Sequence, residues 1–272
     1  MPLKENTRLS IVVITWNEKR ILERCLKSVE RVIDSEKDEV VVVDNGSSDG
    51  TADLMKEKFS NMKYKLLKEN IGVGPARNVG ARMSNGKYVM TLDNDAFFFE
   101  ECDIGKTIDG IFSTEKNLGV LGFKLLNSDG SFQQSCRRFP GWLQPLSARL
   151  SFLRKIKFFD KIHQHHHMDD IDFSCADYPI VVDYVLGANQ IFRKSDFLEV
   201  GGYDKKIFYG PEDFDFCYRV KIKLNKKTML SDCLSITHDY QRRTRSFNFL
   251  LIVHFLSFYY IMIKHKFKIG LV

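Results

Sequence analysis

The chain has 272 residues, 44% of them hydrophobic and 28% charged, with a formal net charge of +6. That is the size and balance of a globular enzyme with a substantial core, and low-complexity tracts and solenoid repeats are excluded. The excess of Lys and Arg, concentrated towards the C-terminus, suits an anionic partner (nucleotide, phospholipid surface or nucleic acid) without separating these.

Leu9 to Thr15 is a near-continuous β-branched run, the pattern of a strand buried on both faces of a parallel sheet. Apolar residues at helical spacing from Ile21 to Val32 predict a helix over Glu18 to Ile33. Glu39 to Val43 reads as a second buried strand, ending at Asp44-Asn45-Gly46-Ser47-Ser48-Asp49-Gly50, a loop of turn and capping residues. A helix follows from about Thr51 to Phe59, then a short strand from Tyr64 to Leu67. Asn70 to Gly80 opens another helix, with Pro75 near its first turn. Gly72-x-Gly74-x-x-Arg77 lacks the third glycine of a dinucleotide fingerprint and follows the third strand, so a dinucleotide-binding domain is not indicated.

The strand beginning at Tyr88 ends in Asp93-Asn94-Asp95. Alternate strand residues share a face, so Asp93 and Asp95 point to one side where the strand gives way to a loop. Two carboxylates there need positive charge, which a divalent cation bridging to a diphosphate supplies; Mg²⁺ and Mn²⁺ prefer such oxygen ligands. The alternative is a solvated turn with two exposed acids. Repeated strand–loop–helix units imply a parallel sheet whose ligands lie beyond the carboxyl ends of its strands, where Thr15, Asp44 and Asp93 converge.

Beyond residue 99 the pattern is sparser. Leu118 to Leu126 reads as a strand, Asn127 to Gly130 as a hairpin turn, and Ser131 to Phe139 as its antiparallel return. His163-Gln164-His165-His166-His167 reads as a solvated loop, with transition-metal binding as the alternative. A strand over Val181 to Ala188 leads to Gly187-Ala188-Asn189, whose small residues admit close backbone approach to a ligand. Glu212-Asp213-Phe214-Asp215 opens a helix with apolar face Phe214, Cys217 and Val220; its N-terminus favours ionised Asp213, and Asp215 caps it or pairs with Arg219. Thr228 to Ile236 returns as a strand and delivers His238, followed by the basic run Gln241 to Ser246. Phe247 to Ile263 is almost wholly apolar and precedes Lys264 to Lys268; seventeen residues are marginal for a bilayer, so a core or interfacial helix with its lysines on lipid headgroups is expected, not a span. The six cysteines form no Cys-x-x-Cys pair and read as free thiols, and the polar N-terminus lacks a signal-peptide core, so a cytoplasmic location is expected.

Taken together, Thr15-Trp16-Asn17-Glu18, Asp44 to Thr51, Gly74 to Gly80, Asp93-Asn94-Asp95, Gly187-Ala188-Asn189 with Arg193, and Gly201-Gly202-Tyr203-Asp204 with Glu212 to Asp215 and Arg219 resemble the family 2 glycosyltransferases, nearest the rhamnosyltransferase-like branch. The resemblance covers about residues 8 to 240. It implies an α/β GT-A fold, a Rossmann-like mixed sheet flanked by helices, with a C-terminal helical tail. Residues 1–240 would form the catalytic domain, its nucleotide-binding half about 8–98 and its acceptor half about 99–240, and residues 241–272 the tail. It implies an inverting, metal-dependent transfer from a UDP- or dTDP-linked sugar to a glycan or lipid-linked acceptor in cell-surface polysaccharide synthesis. By the same resemblance, Thr15, Glu18 and Asn94 line the nucleotide pocket and Asp44 accepts from the base. Arg77 holds base or diphosphate, and Asp93 contacts ribose or donor sugar. Asp95 and His238 ligate Mn²⁺ or Mg²⁺, Asp213 is the catalytic base, and Glu212 binds acceptor or sugar hydroxyls; a satisfied surface histidine is the alternative for His238. No nucleic acid is implied. The expected site of action is the inner membrane face, touched peripherally through residues 247–268. The rival classes are a nucleotidyltransferase, which needs a basic glycine loop that Trp16-Asn17-Glu18 does not supply, and a non-catalytic nucleotide-sugar-binding module.

Overall fold

The computed structural model describes residues 7–149, 151–239 and 249–267. Its first half alternates strand and helix as the hydrophobic pattern dictates: β1 (Leu9–Thr15), α1 (Lys19–Val29), β2 (Asp38–Asp44), α2 (Thr51–Lys58), β3 (Lys63–Leu66), α3 (Val73–Met83) and β4 (Tyr88–Asp93). Then come β5 (Ala96–Phe97), α4 (Ile104–Thr114), β6 (Leu118–Leu126), β7 (Phe132–Gln133), β8 (Cys136–Arg137), α5 (Gln144–Arg149), a 3₁₀ turn (Ser151–Lys155) and α6 (Lys157–His167). The chain continues through β9 (Ile180–Val182), β10 (Tyr184–Val185), β11 (Asn189–Arg193), α7 (Lys194–Val200), α8 (Glu212–Leu224), β12 (Lys227–His238) and α9 (Phe249–Lys264).

The main sheet runs β3-β2-β1-β4-β11-β6-β12-β5, with β7 on β6 and β9 on β12. β1 to β4 are mutually parallel, whereas β11 lies antiparallel to both β4 and β6, so the sheet is mixed. Both faces are covered. Leu9, Ile11 and Val13 join α1, α2 and α4 in one layer. Val12, Val41 and Val89 join α3, α7, α8 and α9 in the other. Gly80 lets α3 settle onto the sheet, since a Cβ there would stand 2.2 Å from Val12 Cγ1.

Three local expectations change. The His163–His167 tract is not a loop: it is the last turn of α6, with Ile162 and His166 buried. The run over Val181 to Ala188 breaks at Asp183, because β9 pairs with β12 while β10 pairs with β8 in a separate two-stranded sheet. The predicted return over Ser131 to Phe139 likewise divides between β7 and β8. All six cysteines are free, as expected.

Helix α9 packs Phe258, Ile261 and Met262 into the second layer. No helix among the described residues is long and apolar enough to cross a membrane. The tail's expected headgroup lysines are partly engaged by protein: Lys264 Nζ lies 2.7 Å from Asp204 Oδ2 and 2.7 Å from Asp215 Oδ1. His265 Nε2 lies 2.8 Å from the same Asp215 oxygen, and Arg219 Nε donates to Oδ2 at 2.8 Å. Ile252, Leu256 and Ile263 stay exposed on the outer side.

Asp215 is fully buried. Burial by itself would raise its carboxyl, but His265, Arg219 and Lys264 outweigh that and hold it far below the usual range. A depressed carboxyl stabilises the fold above the unfolded-state value of about 4 and loses that contribution as pH falls towards the lower folded value. Asp215→Asn should therefore lower the unfolding free energy by about 3 kcal/mol at pH 7. The deficit should shrink in acid, a comparison that urea unfolding at the two extremes provides.

Candidate active site

The rim at the carboxyl ends of the parallel strands is set by register: Thr15 sits across from Asp44, and Ile14 across from Asp93. The far strand closes it. β12 pairs antiparallel with β5, His238 opposite Ala96, and the Asp239 amide donates to the Asp95 carbonyl at 2.9 Å. This brings Asp93, Asp95 and His238 together, one ligand atom from each within 4.8 Å of the others. His238 Nε2 is 3.2 Å from Asp95 Oδ1. Burial alone would lower the imidazole, but Asp95, with Asp93 beside it, raises it.

Gln133 also belongs here, and its sequence context gave no sign of it. Its Oε1 lies 2.6 Å from His238 Nδ1, and its amide donates to Asn127 Oδ1 and the His238 carbonyl at 3.0 and 3.2 Å. With both amide hydrogens engaged, Oε1 acts as acceptor. That keeps the proton on Nδ1, so that Nε2, which faces the carboxylates, is the nitrogen that would give up its proton to a cation, the usual support for a metal-binding imidazole. Two carboxylates and one imidazole so held fit a divalent cation; the imidazole favours Mn²⁺ over Mg²⁺.

Asn94 stitches the loops, its amide donating to Thr15 Oγ1 at 3.2 Å and Glu18 Oε2 at 2.9 Å. Asn17 and Ser47 join the loops after β1 and β2 in the same way, and Trp16 stands exposed on the rim between them. Asp44 is fully buried: Oδ2 accepts from the Tyr64 hydroxyl at 2.7 Å and Oδ1 from the Ser47 amide at 2.8 Å. The expected base acceptor is thus braced by β3 on one oxygen and by its own loop on the other.

Arg77 differs most from expectation. Its guanidinium is 2% exposed and bridges Asp93 Oδ1 at 2.7 Å to Glu212 Oε1 at 2.8 Å, so the partners nearest it are carboxylates. Gly187 is the close approach, but to this side chain: a Cβ there would lie 2.2 Å from Arg77 Nη1. Burial lifts the Glu212 carboxyl well above its ordinary range, opposed by Arg77. Glu212 Oε2 is buried without a hydrogen-bond partner among the described residues.

Asp213 accepts from the Phe214 amide at 2.7 Å and the Gly187 amide at 3.3 Å. Burial nonetheless raises its carboxyl above the usual value, outweighing those bonds and the charge of Arg77. The helix N-terminus, expected to favour ionised Asp213, is thus opposed by burial. The His163–His167 tract forms no comparable metal cluster among the described residues, and burial holds His166 well below its usual value. The basic run Gln241 to Ser246 lies outside the described residues.

One lysine ammonium cannot replace a planar fork that reaches two carboxylates through separate nitrogens. Arg77→Lys should lower the unfolding free energy by about 3 kcal/mol, and Gly187→Ala should act in the same direction by displacing the guanidinium. Denaturant titration checks both; an undiminished Arg77→Lys would show that the bridge carries little.

A family model described as Glycosyl transferase family 2 matches residues 10–170, more than half of the chain. Validoxylamine A glucosyltransferase of Streptomyces hygroscopicus subsp. limoneus is 36% identical over 220 residues, covering 78% of this chain and 47% of that protein. Glycosyltransferase GlyA of Streptococcus pneumoniae is 35% identical over 92 residues, which is 32% of this chain and 13% of that protein. The chain thus spans less than half the length of either relative. Among solved structures, GalNAc-T7 with UDP, GalNAc and Mn²⁺ is similar with a TM-score of 0.62 and 18% identity, over 88% of this chain and 45% of that one. Structural likeness at such identity speaks for the fold, and the sequence match for descent. The chain belongs to glycosyltransferase family 2 and has the GT-A fold.

Proposed function

We propose that the protein is a metal-dependent, inverting glycosyltransferase that moves a sugar from a UDP- or dTDP-linked donor to a glycan or lipid-linked acceptor in polysaccharide synthesis, working at the cytoplasmic face of a membrane. The observation that carries this reading is the bridge from the Asp93, Asp95 and His238 group through Arg77 to Glu212 and its neighbour Asp213. It ties a cation-binding carboxylate to the carboxylates that would meet the acceptor. GalNAc-T7 with UDP and Mn²⁺ and the mannosyltransferase PcManGT from Pyrobaculum calidifontis with GDP-Man and Mn²⁺ support the donor class and the ion.

On this reading residues 8–98 form the donor side, 99–240 the acceptor side, and 241–272 a tail. Thr15, Glu18 and Asn94 shape the nucleotide pocket with Trp16 on its rim, and Asp44 accepts from the base. Asp93, fixed by Arg77, faces ribose or donor sugar. Asp95 and His238 would hold Mn²⁺, which when bound neutralises the diphosphate as it leaves. Asp213 takes the proton of the acceptor hydroxyl while that oxygen bonds to the anomeric carbon and the bond to the diphosphate oxygen breaks on the opposite face. A sugar hydroxyl donating to Glu212 Oε2 would satisfy the buried acceptor.

The first test is nucleotide release from a panel of UDP-, dTDP- and GDP-sugars, rhamnose included, with Mn²⁺ and with EDTA. Release from one donor that EDTA abolishes is the expected result. Asp213→Asn should lower kcat about a thousandfold with donor binding retained. In the wild type, kcat/KM should rise with pH through an ionisation above the usual carboxylate range, because the base must be deprotonated. Gln133→Leu should weaken Mn²⁺ binding by about 10–100-fold, read by paramagnetic resonance. Full activity of Asp213→Asn would remove the catalytic assignment.

A further inference from the structure

One charged surface takes no part in the site described above. Arg20, Arg24 and Lys27 lie at i, i+4 and i+7 along α1, and Arg31 continues the row just past its end, so all four emerge on one side. All four are exposed. With Glu23, Ser28, Phe97, Phe98 and Phe99 they line a surface groove of about 620 Å³. Glu23 is the one acid in that lining, and it is shared between Lys27 at 2.8 Å and Lys58 at 2.7 Å. Arg24 pairs with Asp239 at 3.2 Å and lies 3.9 Å from the centre of the Phe97 ring, and Arg31 donates to the Phe98 carbonyl at 2.8 Å. Exposed pairs of this kind exchange readily for another anion, because solvent already screens them. Phe99 stands 62% exposed at the edge of the groove, with Glu100 and Glu101 on the loop beyond it.

We infer that this face of α1 docks the protein on an anionic phospholipid bilayer, the cations meeting headgroup phosphates and Phe99 entering the interface. The inference rests on the membrane-facing part of the proposed function and specifies the surface that serves it. Charge complementarity selects the occupant: a row of cations spanning about 16 Å of helix beside an exposed aromatic ring is what an interfacial contact requires. The face also reaches the site. Arg24 holds Asp239, whose amide bonds the Asp95 carbonyl, so a bilayer on α1 lies beside the strand end that carries the metal group. The C-terminal helix is the competing surface. It packs on the opposite side of the sheet from α1, so one flat bilayer engages one or the other. The cations of α1 are exposed, whereas Lys264 of α9 is held by Asp204 and Asp215.

Vesicle co-sedimentation of the full chain tests this without donor or acceptor, so an inactive transferase would leave the result unaffected. The wild type should pellet with phosphatidylcholine vesicles containing phosphatidylglycerol, and not with phosphatidylcholine alone. Binding should fall steeply between about 50 and 300 mM salt. Arg20→Glu with Lys27→Glu should weaken it by about twentyfold or more, while Leu256→Glu with Ile263→Glu on α9 should leave it unchanged. If the double glutamate variant does not fold, Arg20→Gln with Lys27→Gln should show a smaller loss in the same direction. Loss through the α9 variant alone, equal binding to uncharged vesicles, or no binding at all would overturn the assignment. So would equally tight, Arg20- and Lys27-dependent binding of a single-stranded oligonucleotide, which would mark a general polyanion site.

Discussion

The buried guanidinium of Arg77 is the constraint on which the site depends. A cation 2% exposed is tolerable only with counter-charges in hydrogen-bonding reach, and the two it has come from opposite parts of the chain. Asp93 ends β4; Glu212 begins α8, more than a hundred residues later. Each carboxylate is fixed by the other's partner, so the end of β4 and the start of α8 cannot drift apart without leaving charge unpaired in the interior. Gly187 has no side chain because the guanidinium occupies that space. Glycine, arginine and two acids are thus one interaction, although the sequence places them in four separate motifs.

The second organising feature is strand register. The first four parallel strands place Thr15, Asp44 and Asp93 along one rim, as any parallel sheet of this composition would. They do not bring in His238. That requires β12 to run beside β6 and then turn its last residues onto the two-residue strand β5, with His238 opposite Ala96. β7 pairs with β6 on the other side and sets Gln133 opposite Leu125, from where it reaches the imidazole. His238 and its support Gln133 therefore come from the edge of the sheet, where short irregular strands bring them to the Asp93 end of the central strand β4.

What was legible in the sequence follows this division. β1, β2, β4 and β6 were readable because strands buried on both faces leave near-continuous apolar runs, β-branched in β1 and β2, and α8 because its acids mark a helix start. The candidate site residues were readable as short motifs at strand ends. Their mutual geometry was not. Nothing local in Gly74-Pro75-Ala76-Arg77 says whether the arginine faces a ligand or two carboxylates, since that depends on where α8 packs. Gln133 carries no signature because its role exists only through a pairing with a strand-end histidine far along the chain. The histidine tract misled for the opposite reason: polar composition suggested a loop, but His166 and Ile162 fall on the buried side of α6, a placement decided by tertiary contacts that composition does not encode.

The tail extends the same electrostatic logic outward. Asp215 lies three residues after Glu212 on α8 and is closed off by Arg219 from its own helix and by Lys264 and His265 from the end of α9. Lys264 and His265, at the end of the tail helix, thus stabilise the helix bearing Glu212 and Asp213. A helix whose inner face fills the core and whose terminal lysine is held by buried or half-buried acids acts as a brace for α8. On the other side of the sheet α1 presents Arg20, Arg24, Lys27 and Arg31 to solvent, with Glu23 in the lining of the same groove. The positive charge of the chain is thus divided by location between internal pairing, where acids are buried, and the exposed row on α1.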